Sequence, residues 1–63
     1  MKVKVINRES PEISAVYDDV DVVVDTFDDN GNYCHQVRMK DGSTATYPAC
    51  DWAFFSLEWT PLF

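Results

Sequence analysis

The chain is poor in the residues that usually mark chemistry. It has one histidine, two cysteines and two glycines in 63 residues. No Cys-x-x-Cys pair occurs, so the close-paired, four-ligand pattern of a structural zinc site is missing. No apolar run is long enough to span a membrane. The opening stretch Met1–Ile6 is too short and too charged for a secretory signal. Repeats, low-complexity tracts and linkers are also missing, and no base lies between Arg8 and Arg38. These absences argue against a metal site, a membrane protein and a multidomain chain. The length allows one small domain, which buries only ~60% of its unfolded surface.

What the chain does have is aromatics and acid. Aromatic residues make up 14% of it, too many for a disordered segment. The formal net charge of −6 disfavours direct binding to nucleic acid or to an anionic membrane and favours basic protein partners. Asp18, Asp19, Asp21, Asp25, Asp28 and Asp29 crowd into one stretch and are interleaved with valines. A strand that buries valines on one side would carry aspartates on the other, as an ordered row of negative charge.

Hydrophobic periodicity of two predicts strands. The first is residues 2–7. Residues 8–19 form a long loop, with an irregular hairpin around Ile13, Val16 and Tyr17 and a short helix after Pro11 as the competing reading. The second strand is Val20–Phe27, with Val20, Val22, Val24 and Thr26 on its core face and Asp21, Val23, Asp25 and Phe27 on the other. A turn at Asp28–Gly31 leads to Tyr33–Met39, and Lys40-Asp41-Gly42 leads to Ser43–Tyr47. A four-residue first loop pairs Val22 with Val37, Val24 with His35 and Thr26 with Tyr33. A three-residue second loop, with glycine in its last place for a bulged type I turn, pairs Val37 with Ala45 and His35 with Tyr47. Residues 49–53 suit one turn of helix. Phe55, Leu57 and Trp59 alternate as a last strand that Pro61 ends.

This arrangement of five strands, a long first loop, two tight hairpins and a helical turn resembles the SH3-like small barrel over nearly the whole chain. Ala15-Val16-Tyr17-Asp18 is similar to the Ala-Leu-Tyr-Asp run in the first loop of SH3 domains. Gly42 followed by Tyr47-Pro48 resembles the glycine, strand and proline that precede their helical turn. Asn32-Tyr33-Cys34 stands where those domains open a strand with paired tryptophans. Asp51 stands where they carry an aromatic, with Trp52 one place later. The resemblance therefore implies an all-β architecture that hosts many functions, and it does not carry over proline-rich peptide binding.

Cys34, His35, Cys50 and Asp51 are the candidate metal or catalytic residues. Cys34 and His35 fall on opposite faces of a strand, and no nucleophile has a recognisable context beside His35, so free thiols and a packed histidine are the plainer reading. No cofactor is expected. Asp28–Asn32 lacks the spacing of a calcium loop and reads as a solvated turn. The remaining aromatics exceed what so small a barrel encloses, which leaves Trp52, Phe54, Leu62 or Phe63 for an exposed patch.

The expectation is a non-enzymatic protein-binding module, an inhibitor or adaptor. It would present Asp18, Asp19, Asp21, Asp25, Asp28 and Asp29, with Trp52 and Phe54, to a basic groove that otherwise holds nucleic acid. Small acidic inhibitors made by bacteriophages resemble it in size and charge. The alternatives are a peptide-binding or homodimerising module that uses exposed aromatics, and a small metal protein or enzyme around Cys34, His35 and Cys50. A complete small gene product in the cytoplasm, or in the host cytoplasm if phage-encoded, is expected from the Met1 start and the missing signal.

Overall fold

The structure is a computed structural model and describes residues 1–56, 61 and 62. Among these residues six strands build two antiparallel three-stranded sheets. β1 (Val3–Asn7) lies between β2 (Ser14–Tyr17) and β6 (Trp52–Ser56) in the first sheet. β4 (Tyr33–Met39) lies between β3 (Val20–Phe27) and β5 (Thr44–Pro48) in the second. Valines, aromatics and threonines dominate these segments, the residues that pack best on a pleated, half-buried surface.

The all-β reading holds, with differences in detail. The long first loop contains a sixth strand: β2 pairs back on β1, with Val5 opposite Ala15 and Val3 opposite Tyr17. The hairpin reading of this segment is therefore the one realised. No helical turn follows Pro48; Ala49–Asp51 is an ordinary turn in which the Asp51 amide donates to the Pro48 carbonyl at 3.2 Å. The last strand also starts earlier than expected, at Trp52. Leu57 and Trp59 lie outside the described residues.

The second hairpin follows the expected register. Val37 faces Ala45 and His35 faces Tyr47. Gly42 closes the three-residue loop with φ of 92°, a left-handed conformation that other side chains resist, and the Met39 amide donates to the Ser43 carbonyl at 2.8 Å.

The first hairpin does not. Val20 pairs with Met39, but the next pair is Val22 with Arg38, so Asp21 is an extra residue in a β-bulge. One extra residue inverts the alternation beyond it. Val23, not Val22, faces Val37, and Asp25, not Val24, faces His35. The loop lengthens to match, so that Phe27 pairs with Tyr33. Val22 is left exposed, while Val23 packs against the core.

That core lies between the sheets. Val3, Val5 and Phe54 come from the first sheet and Val20 and Val37 from the second, with Tyr17, Val23, Met39, Tyr47, Trp52 and Leu62 packed around them. The two sheets are joined at one corner by Met1. Its ammonium donates to the Val20 carbonyl at 3.1 Å, and the Val20 amide donates to the Met1 carbonyl at 3.0 Å.

The two registers predict different mutant stabilities. Val23→Thr is expected to cost about 1–3 kcal/mol, because it places a hydroxyl against the core. Val22→Thr is expected to stay within about 0.5 kcal/mol. Urea denaturation of both variants measures this; equal costs, or a larger cost at Val22, would contradict the bulge.

Candidate functional site

The bulge decides where the aspartates go. Asp18 and Asp19 are exposed in the short link between β2 and β3, and Asp21 is exposed at the bulge. Asp25 turns onto the inner face, where its carboxylate meets the Nδ1 of His35 at 3.1 Å. Asp28 and Asp29 belong to the loop after β3. The expected single row along the strand's outer face is therefore not formed. The six carboxylates divide between the two ends of β3, with Asp21 and Asp28 roughly 23 Å apart along the strand at ~3.3 Å per residue.

Asp28 has a structural task as well as a charge. Its Oδ1 accepts from the backbone amides of Asn30 at 2.9 Å and Asn32 at 2.8 Å, and its Oδ2 from the Asn32 side-chain amide at 3.1 Å. The backbone amide of Asn32, above all, holds the Asp28 carboxyl below its ordinary pKa. Asp28 thus ties the loop together while staying ionised. Asp19, Asp21 and Asp29 have no comparable side-chain bond among the described residues. Asp18 approaches Lys2 at 3.9 Å, with both side chains exposed.

Aromatic side chains run through the inner space as an unbroken series. Ring centroids are separated by 5.7 Å for Phe27–Tyr33, 5.1 Å for Tyr33–His35, 5.4 Å for His35–Phe54, 5.7 Å for Phe54–Tyr47 and 4.9 Å for Tyr47–Trp52. Most contacts are edge-on or tilted, the arrangement that ring quadrupoles favour. His35 is 4% exposed in the middle of this series. Phe54 is 3% exposed and part of the core, so it is not available as a surface contact; Trp52 is half-buried against Tyr47. Among the described residues the exposed aromatics are instead Phe27 at 67% and Tyr33 at 45%. Partial desolvation first, and the nearby Asp25 carboxylate second, raise the Tyr33 phenol above its ordinary pKa.

Beside Tyr33 opens a cleft of about 900 Å³, lined by Tyr33, His35, Asp28, Asn32, Pro48, Cys50, Asp51 and Arg8 among others. The Arg8 amide donates to the Asp51 carbonyl at 2.8 Å, which extends the β1–β6 pairing beyond Asn7 and Trp52 and sets both residues at the wall of this cleft. Cys34 is buried, with its Sγ 3.4 Å from the Asn32 carbonyl, and Cys50 is exposed; both are free thiols. Among the described residues no three His, Cys, Asp or Glu side chains gather as a metal ion would require. Also among them, no helix is long and apolar enough to cross a membrane.

The pair Phe27–Tyr33 was the site feature missed in the sequence. Its signal was present: two aromatics that flank an Asp-Asp-Asn-Gly-Asn loop favour facing each other across it, and that pairing demands a five-residue loop.

Compared with known protein families, with curated proteins and with solved structures, the chain matches none.

Tyr47 allows a pH test of this interior. Its hydroxyl hydrogen-bonds that of Tyr17, and burial first, then Tyr17, push its pKa up to about 12. The folded state holds this proton more tightly than the unfolded state, whose tyrosine has a pKa near 10. The resulting stability is full below about pH 10 and is lost as pH rises toward about 12. Tyr47→Phe is expected to remove the larger part of that alkaline slope in denaturation curves; an unchanged slope would contradict the assignment.

Proposed function

We propose that this chain is a non-enzymatic protein-binding module, of SH3-like small-barrel architecture, that docks its acidic end surfaces on a basic region of a partner protein. Two three-stranded sheets around one core, with a proline-turn before the last strand, support the architectural part. One observation carries the functional part. All six carboxylates between Asp18 and Asp29 are exposed, and among the described residues Lys2 is the one lysine or arginine within ion-pair distance of any of them. Clustered carboxylates of one sign repel each other, and a basic partner relieves that repulsion. A partner groove that otherwise holds nucleic acid has the matching charge, which makes an inhibitor or adaptor the concrete form of the proposal. An acidic inhibitor of the kind bacteriophages make fits this size and charge.

A more modest role competes for two of the six. β3 is an edge strand, and a bulge with an inward-pointing charge keeps such edges from pairing with other chains. Asp21 and Asp25 serve that purpose whatever else they do. Asp25→Asn would also disturb His35, so it is a poor probe of binding.

The test uses the four carboxylates with no packing role. In the variant Asp18→Asn/Asp19→Asn/Asp21→Asn/Asp29→Asn, the association rate with a partner recovered by affinity capture is expected to fall about tenfold or more at low ionic strength. Its melting temperature should stay within a few degrees of the parent's. An unchanged rate with unchanged salt dependence would reduce the acids to solubility and edge protection.

A further inference from the structure

We infer that Phe27 and Tyr33, flanked by Asp25, Asp28 and Asp29, form the docking point for arginine side chains on an extended segment of the partner. This rests on the protein-binding reading above and names the chemistry of its occupant.

Phe27 and Tyr33 face each other across β3 and β4 with ring centroids 5.7 Å apart. They are 67% and 45% exposed, in a chain whose other described aromatics are at least half-buried. Leaving most of a phenylalanine in water forgoes much of the stabilisation its burial would bring. A cross-strand aromatic pair returns only part of it. The balance leaves a sticky surface in need of an occupant.

The surrounding charge selects that occupant. Asp28 is held ionised by its amide donors, Asp29 is exposed at the loop tip, and Asp25 lies against Tyr33. A purely apolar partner would strip water from these carboxylates without pairing them, which is costly. Nucleic acid would be repelled. A guanidinium satisfies both features at once, because its planar face stacks on a ring and its fork pairs with a carboxylate. A lysine ammonium does the second well and the first less well. The cleft continues from Tyr33 past His35 to Pro48 and Cys50, so an extended segment has a path. Arg8 and Asp51 line that path with opposite charges. With Asp28, Asp25 and Asp29 gathered at the Phe27–Tyr33 rim, the excess of carboxylates lies there, and that is where a cationic side chain of the segment is placed.

The probes are a short oligo-arginine peptide and an oligo-lysine peptide of equal length, titrated into the intact protein by calorimetry and by two-dimensional NMR. Oligo-arginine is expected to bind roughly three- to tenfold tighter, with shift changes centred on Phe27, Tyr33 and Asp29. Phe27→Leu keeps an apolar contact across the hairpin but lacks a ring face, and it should bring the two affinities together while circular dichroism shows the fold intact. Tyr33→Leu is the second variant and should do the same. A preference for arginine that survives both substitutions, or shift changes centred on Asp18–Asp21, would overturn the inference. Equal binding of both peptides by the parent would overturn it too, yet leave the acidic-module reading standing. No binding of either peptide at low ionic strength would sink both. Line broadening of Phe27 and Tyr33 that grows with protein concentration before peptide is added would assign the surface to a second copy of the chain and overturn the inference.

Discussion

Asp21 is the extra residue in a paired strand, and the rest of the second sheet depends on where it puts the alternation of β3. Before it, Val20 is buried opposite Met39; after it, Val23 and Asp25 point inward and Val22 points out. A bulge usually costs a strand some pairing and adds local twist. Here it lies next to the corner where Met1 holds Val20 from the other sheet. The bend therefore falls where the chain has to pass from one sheet to the other. The same step brings an acid to His35 and two aromatics to the sheet's far end, so fold and surface share one cause.

Inside, His35 is tolerated because every side of it is supplied. Asp25 takes its Nδ1 at 3.1 Å, and Tyr33 and Phe54 close on its ring. A buried polar ring without such partners would cost about 1–3 kcal/mol. The aromatic series then extends from this point in both directions: toward Tyr47, Trp52 and Tyr17 in the interior, and toward Phe27 at the surface. A chain this short has few aliphatic residues to spare, and rings that bury a large area each are an economical way to fill its core.

Much of the fold was legible in the sequence. Glycine in the third position of Lys40-Asp41-Gly42 specified the second loop, and hydrophobic matching then placed Val37 against Ala45 and His35 against Tyr47. The first hairpin was not legible in the same way. Val22, Val23 and Val24 are three valines in a row, so either phase of the strand buries a valine and periodicity cannot choose between them. Counting the loop from Asp28 to Gly31 chose the wrong phase; the Asp28 side chain, bonded to the amides of Asn30 and Asn32, makes Asn32 part of the turn. Phe54 was misread because neighbouring phenylalanines at 54 and 55 pose the same ambiguity, and pairing with Val5 settles it inward. That the six acids are exposed was legible in their residue type. Their grouping was not, since it follows from the bulge.

The account stands or falls on the phase of β3. Cross-strand nuclear Overhauser contacts in the β3–β4 hairpin read it directly. The bulged register predicts contacts between Val23 and Val37, Asp25 and His35, and Phe27 and Tyr33. Contacts between Val22 and Val37, Val24 and His35, and Thr26 and Tyr33 would show an unbulged strand, return Asp25 and Phe27 to the outer face, and contradict the surface described above.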